Sequence, residues 1–188
     1  SSASGGYLTI TTTSTTGQLI QTKNKYSNFR ARVSARVATA GKQIYVSTDT
    51  TAGTWANKEG GVIDWMNSPN NVKAQIAGSQ TVTNEAENTS QYYEIDFTLP
   101  ASGDATISIS KNGGSALVTR TASPTNREVY LSMFGYNSGG TCYSRYIYIR
   151  EYAATEPTLS AGSEETIASA PTPAFTANTT AGLAPLTI

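Results

Sequence analysis

Phe29-Arg30-Ala31-Arg32-Val33-Ser34-Ala35-Arg36-Val37 alternates without a break. In an extended chain successive side chains point to opposite faces. Phe29, Ala31, Val33, Ala35 and Val37 therefore share one face, and Arg30, Arg32 and Arg36 the other. The segment predicts a strand buried on one side and wet on the other, as in an antiparallel sheet with one solvated face. The three arginines read as that solvated face rather than as a strip for binding acids.

The same period of two extends in both directions. Upstream, Tyr7-Leu8-Thr9-Ile10-Thr11 alternates, and Leu19-Ile20 follows a turn at Gly17. Downstream, short strands are expected at 43–47, 61–66, 72–76, 80–83 and 91–99, the last ending at Pro100. The clearest hairpin joins 105–111 to 115–121 through Asn112-Gly113-Gly114, since an Asn-Gly step supplies the positive backbone angles of a tight turn. Strands at 128–136 and 142–152 complete the series, and no segment carries a helical apolar stripe. Short strands with turn chemistry between them indicate two packed sheets. The fold expected is all-β: a two-sheet antiparallel β-sandwich with an extended C-terminal tail.

Composition narrows the function classes. The 188 residues carry 13 basic and 13 acidic side chains, 14% charged in all, and no histidine. A chain of zero net charge is poorly suited to binding nucleic acid by phosphate neutralisation. Without histidine there is no His-based triad, and one cysteine cannot build a thiolate cluster. No apolar run approaches the roughly 20 residues that span a bilayer. Cys142 has no internal partner, which leaves an intermolecular disulfide or a small buried side chain. Sparse charge and the sequons at Asn88 and Asn178 favour an extracellular or cell-surface location, with any export signal removed or upstream of Ser1.

The chain divides, on composition, into residues 1–165 and 166–188. The second part opens with the linker Ala168-Ser169-Ala170-Pro171-Thr172-Pro173 and carries strand-like apolar positions at Phe175, Leu183, Leu186 and Ile188. A segment this short cannot bury a core of its own.

Three constellations carry candidate chemistry. Glu94-Ile95-Asp96-Phe97 puts two acids on one face, as glycoside hydrolases of the two-carboxylate type require. In a Glu-x-Asp-x-Glu catalytic strand the next position on that face is an acid; here it is Thr98, so the acid/base partner is missing and no enzyme activity is expected. Tyr146-Ile147-Tyr148-Ile149-Arg150 places tyrosines on one face and isoleucines on the other. With the isoleucines in the core, Tyr146, Tyr148 and Arg150 form an outward ladder. That ladder, with Trp55 and Trp65, suits cross-strand packing, a subunit contact or stacking on sugar rings. Asp49, Asp64, Asp96 and Asp104 are dispersed, so calcium is left open as a cofactor without a motif to specify it.

The run from Tyr146 to Glu165 resembles the ending of surface proteins of the domain-of-unknown-function family 2341. The segments Gly6–Ile10, Phe29–Val33, Tyr92–Phe97, Ile107–Gly113 and Val129–Met133 are similar, in their order, to concanavalin A-like (laminin-G-like) jelly-roll sandwiches. The stretch Pro173–Ile188 looks like the opening of a PKD (polycystic kidney disease) repeat. The resemblance implies a non-enzymatic surface protein. Two departures stand out: the family's opening segment is absent, and the PKD-like module stops after its first strands.

Both departures remove strands. A sandwich short of a strand and a chain with a spare one suggest donation between copies, with Phe175, Leu183, Leu186 and Ile188 as the donated strand. The first functional expectation is therefore a fibre or sheath subunit whose partner is itself. The alternative is a lectin-like module that binds surface glycans.

Overall fold

The computed structural model describes residues 2–4, 7–12, 18–53, 59–136 and 139–155, with side chains from Leu8 onward. Thirteen strands follow in chain order. They are β1 (Ser2–Ser4), β2 (Tyr7–Thr11), β3 (Gln18–Gln21), β4 (Phe29–Val37), β5 (Gln43–Asp49), β6 (Glu59–Asp64), β7 (Asn71–Ile76), β8 (Ser79–Asn84), β9 (Tyr93–Leu99), β10 (Ala105–Lys111), β11 (Ala116–Ala122), β12 (Tyr130–Tyr136) and β13 (Thr141–Glu151). Every pairing is antiparallel. A seven-stranded sheet has the order β1-β2-β13-β4-β9-β10-β11, and a six-stranded sheet the order β3-β12-β5-β6-β7-β8. The chain divides into two compact units, Ser1–Ala153, which holds both sheets, and Ala154–Ile188.

β4 behaves as its alternation dictates. Phe29, Ala31, Val33, Ala35 and Val37 are buried, while Arg30, Arg32 and Arg36 keep part of their surface in solvent. β9 repeats the pattern with Tyr93, Ile95, Phe97 and Leu99 inward, and β10 with Ala105, Ile107 and Ile109. Opposite them the six-stranded sheet contributes Ile44, Val46, Ile63, Val72, Ala74, Ile76, Leu131 and Met133 to one continuous core. Gly61 lets the two sheets close up: a Cβ there would stand 2.6 Å from Ile95 Cγ2 and 3.2 Å from Ile109 Cδ1. At one margin Thr83 Oγ1 donates to the Leu117 carbonyl at 3.0 Å, tying β8 to β11 across the sandwich.

The Asn112-Gly113 turn forms as expected, with φ of 45° and 73°. The β7–β8 hairpin uses the same left-handed pair at Ala77 (φ 51°) and Gly78 (φ 76°), with Ile76 opposite Ser79. Ala there carries a steric cost that Asn or Gly would avoid.

The sequence predicts a sandwich short of a strand. Among the described residues β1 and β2 occupy the margin beside β13, where β2 pairs with it only as far as Ser144. β1 escaped notice because Ser2-Ala3-Ser4 has no apolar period. Phe175, Leu183, Leu186 and Ile188 lie outside the described residues, as does Trp55.

Candidate functional site on the outer face of the seven-stranded sheet

The register stacks outward side chains in rows across the sheet. One row runs Tyr148, Arg32, Asp96, Ser108 and Thr119 through β13, β4, β9, β10 and β11. The row beside it runs Tyr146, Ser34, Glu94 and Ser110, and the other neighbour Arg150, Arg30, Thr98 and Thr106. Residues opposite one another on antiparallel strands have Cβ atoms about 5 Å apart, so each row is a continuous strip of side chains.

A bulge decides which residues of β13 join these rows. Ser144 pairs with Ala35 and Tyr146 with Ser34, leaving Arg145 as the extra residue. Before it, Cys142 and Ser144 face inward and Tyr143 outward; after it, Tyr146, Tyr148 and Arg150 take the outward side. Simple alternation from Cys142 would have turned both tyrosines into the core.

Asp96 is the electrostatic centre. Arg30 donates Nε to Oδ1 at 2.9 Å and Nη2 to Oδ2 at 2.6 Å, and Arg32 donates Nε and Nη2 to Oδ2 at 3.0 and 2.7 Å. Burial raises the carboxyl's pKa, but the hydrogen bonds and charges of the two guanidiniums outweigh it and hold Asp96 below the ordinary range. The same bonding raises the pKa of Arg32. Tyr146 is pushed up to about 12, by burial first and then by a hydrogen bond to and the charge of Glu94. The Tyr146 phenol and the Asp96 carboxylate thus keep their forms across ordinary pH.

These side chains frame a cavity of about 360 Å³ lined by Arg30, Arg32, Tyr146, Tyr148 and Arg150. A second hollow of about 320 Å³ continues from it, sharing Arg30 and Arg32 and reaching Glu94, Asp96, Ser108 and Ser110. Beyond the bulge Arg36 stacks on Tyr143 and Tyr92, at 4.6 and 5.0 Å to the ring centroids, and Arg145 lies 3.8 Å above Tyr92. Such stacking of guanidiniums on ring faces stiffens that end of the face.

The sequence reading treated Arg30, Arg32 and Asp96 as separate solvated side chains and missed their triad. The signal was present in the i, i+2 spacing on two strands, but only the β4–β9 register reveals that they meet. Tyr146 and Tyr148 are exposed as expected, at 39% and 47%. Ile147, expected in the core, is 39% exposed, because β2 pairs with β13 only as far as Ser144 and leaves that side chain uncovered among the described residues. Trp65 departs from its expected surface role: it is 2% exposed and packs edge-on to Tyr93 at 5.8 Å. It shares parity with the inward Ile63, which explains its burial. Cys142 is also buried, its Sγ donating to the Gln43 carbonyl at 3.9 Å, so in the folded chain it offers no thiol to a partner's cysteine.

The other acids are engaged locally. Asp49 accepts from Ser132, Asp64 pairs with Lys73 at 2.6 Å and Asp104 accepts from Ser123. Among the described residues no group of three or more His, Cys, Asp or Glu could hold a metal ion. No helix of the described chain is long and apolar enough to cross a membrane.

Neither a family profile nor a curated protein sequence matches the chain. Solved structures do. The carbohydrate recognition domain of Emp46p in its metal-free form superposes with a TM-score of 0.58 at 6% identity, covering 80% of this chain and 84% of that one. The exoplasmic/lumenal domain of VIP36, in a Ca²⁺/Man3GlcNAc-bound form, gives 0.57 at 7% identity with 82% of each chain covered. A candidate glycosyl hydrolase from Parabacteroides distasonis ATCC 8503 gives 0.54 at 13% identity, over 80% of this chain and 89% of that one. At such identities the likeness speaks to architecture. The chain is an all-β, two-sheet antiparallel sandwich of the concanavalin A-like jelly-roll kind.

Proposed function

We propose that the chain is a non-catalytic carbohydrate-binding module of an extracellular or cell-surface protein, with its site on the outer face of the seven-stranded sheet. One observation carries the reading: two exposed tyrosines and three arginines converge on a 360 Å³ cavity that opens onto a hydroxyl-lined hollow. Tyrosine gives a sugar ring an apolar face to lie on, and guanidiniums, serines and carboxylates supply directional partners for its hydroxyls. The neighbours support it, since one is a carbohydrate recognition domain and another was solved with Man3GlcNAc. An extracellular or cell-surface setting is in keeping with one neighbour's being an exoplasmic/lumenal domain.

Catalysis is not part of the proposal. Hydrolysis through two carboxylates needs one of them kept protonated as the acid. Asp96 is held in the opposite sense by Arg30 and Arg32, and Thr98 stands where a third acid would. Binding of a polysaccharide panel by affinity electrophoresis tests the reading. At least one glycan should retard the wild-type chain and fail to retard Tyr148→Ala, with every glycan recovered chemically unchanged. Retardation unaltered in Tyr148→Ala, or cleavage of the glycan, would refute it.

A second reading, assembly of copies by strand donation, is favoured by one feature. Beyond Ser144, β13 pairs with β4 on one side and with no described strand on the other. There Ile147 borders a slot of about 100 Å³ lined by Ile20, Leu131 and Met133. Unpaired backbone beside an apolar slot suits an added strand. Filaments or oligomers of the full chain that vanish in Ile147→Lys would support this reading; a monomer at high concentration would refute it.

A further inference from the structure

Asn88-Thr89-Ser90 sets a hydroxyl residue two positions after an asparagine, with no proline between. The step lies in the loop 85–92, which carries the chain from β8 in one sheet to β9 in the other, and both Asn88 and Ser90 are exposed. The loop turns back on the Asn88 side chain. Its Oδ1 accepts from the backbone N–H groups of Ser90 and Gln91, each at 3.0 Å, and the Gln91 N–H also reaches the Asn88 carbonyl at 3.4 Å. An asparagine whose oxygen closes such a turn is held in one orientation. Its nitrogen is left over: Asn88 Nδ2 has no hydrogen-bond partner among the described residues. Other asparagines use that nitrogen for the fold, Asn67 donating to Asp64 and Asn71 to the Pro69 carbonyl at 2.9 Å.

We infer that Asn88 is a glycosylation acceptor whose free, outward amide nitrogen takes an oligosaccharide as the chain is exported. The inference rests on the extracellular or cell-surface part of the proposed function and not on the sugar-binding face. The donor is an oligosaccharide joined through a diphosphate to a membrane lipid. A bond forms between Nδ2 and the anomeric carbon of the first sugar. The bond from that carbon to the diphosphate oxygen breaks, its electron pair leaving with the lipid diphosphate, and Nδ2 gives up one of its two protons to a base of the transferase. No oxidant or reductant takes part. Oδ1 keeps its two backbone hydrogen bonds in the product, so the folded loop accommodates the modification without rearrangement, and the added glycan extends from the surface into solvent. The second sequon, at Asn178, lies outside the described residues and shares none of this geometry on the page.

Secretion of the full chain from cultured mammalian cells, behind a cleavable export signal, tests the assignment. Peptide mapping follows release of glycans by a peptide N-glycosidase in heavy-oxygen water, which marks each formerly occupied asparagine as a labelled aspartate and reads Asn88 and Asn178 separately. Most molecules should carry a glycan at Asn88. Ser90→Ala keeps both backbone donors of the turn, so occupancy at Asn88 should fall to none while the melting temperature matches that of the enzymatically stripped wild type. A secreted wild-type chain with Asn88 bare, or with a glycan at Asn178 alone, overturns the assignment. So does a glycan that persists on Asn88 in Ser90→Ala. The sugar-binding reading is judged apart, by polysaccharide retention of the stripped chain: retention with Asn88 bare sinks this inference only, and an occupied Asn88 without retention sinks that reading only.

Discussion

Arg30 holds Asp96 at both ends of the carboxylate, Nε on Oδ1 at 2.9 Å and Nη2 on Oδ2 at 2.6 Å. The Asp96 side chain is 16% exposed, so solvent screens the pair only in part. Asp96→Asn would leave Arg30 and Arg32 side by side without the carboxylate they share. Urea denaturation at pH 7 should show a loss of about 2 kcal/mol, the scale of a hydrogen bond to a charged group. Because its folded pKa is lowered, Asp96 stabilises the fold fully above the ordinary carboxylate value of about 3.9. That contribution disappears as pH falls through the folded value. The gap between wild type and Asp96→Asn should accordingly narrow as pH falls below about 3.9.

Trp65 and Tyr148 should separate stability from binding. Trp65 is in the core against Tyr93, and Trp65→Ala should cost about 3–5 kcal/mol. Tyr148→Ala removes an exposed ring and should change stability by less than about 0.5 kcal/mol while abolishing glycan retention. Chemical denaturation beside affinity electrophoresis checks both.

The β7–β8 turn offers a gain. Ala77 sits at φ 51° before Gly78, and Ala77→Asn would create the residue pair that this turn favours. Stability should rise by about 0.5–1 kcal/mol with no change in binding, measured by urea midpoint.

Cys142 should behave as a buried thiol. Desolvation pushes its pKa up to about 12, and the thiolate is the reactive form. A thiol reagent at pH 8 should modify the chain only in denaturant, and non-reducing electrophoresis should show a monomer band. Rapid labelling of the native chain would contradict its burial.

Much of this fold could be read locally. β4, β9 and β10 announce themselves by alternation, and Asn112-Gly113 fixes its hairpin, because period and turn chemistry are properties of neighbouring residues. Trp65 was legible too, had its parity with Ile63 been weighed above its aromatic character. What escaped depends on residues distant in sequence. The Arg30–Asp96–Arg32 triad exists only once β4 lies against β9, and the outward aim of Tyr146 only once Arg145 bulges. The exposure of Ile147 follows from where β2 stops, which no pattern inside β13 encodes.

Amide hydrogen exchange of the full chain, with and without a saturating oligosaccharide that binds, tests most directly whether the outer face of the seven-stranded sheet is the carbohydrate site. Protection should concentrate in 30–32, 94–96, 108–110 and 146–150, the segments that the rows bring together. Protection confined to the six-stranded sheet, or to turns away from these rows, would contradict the account.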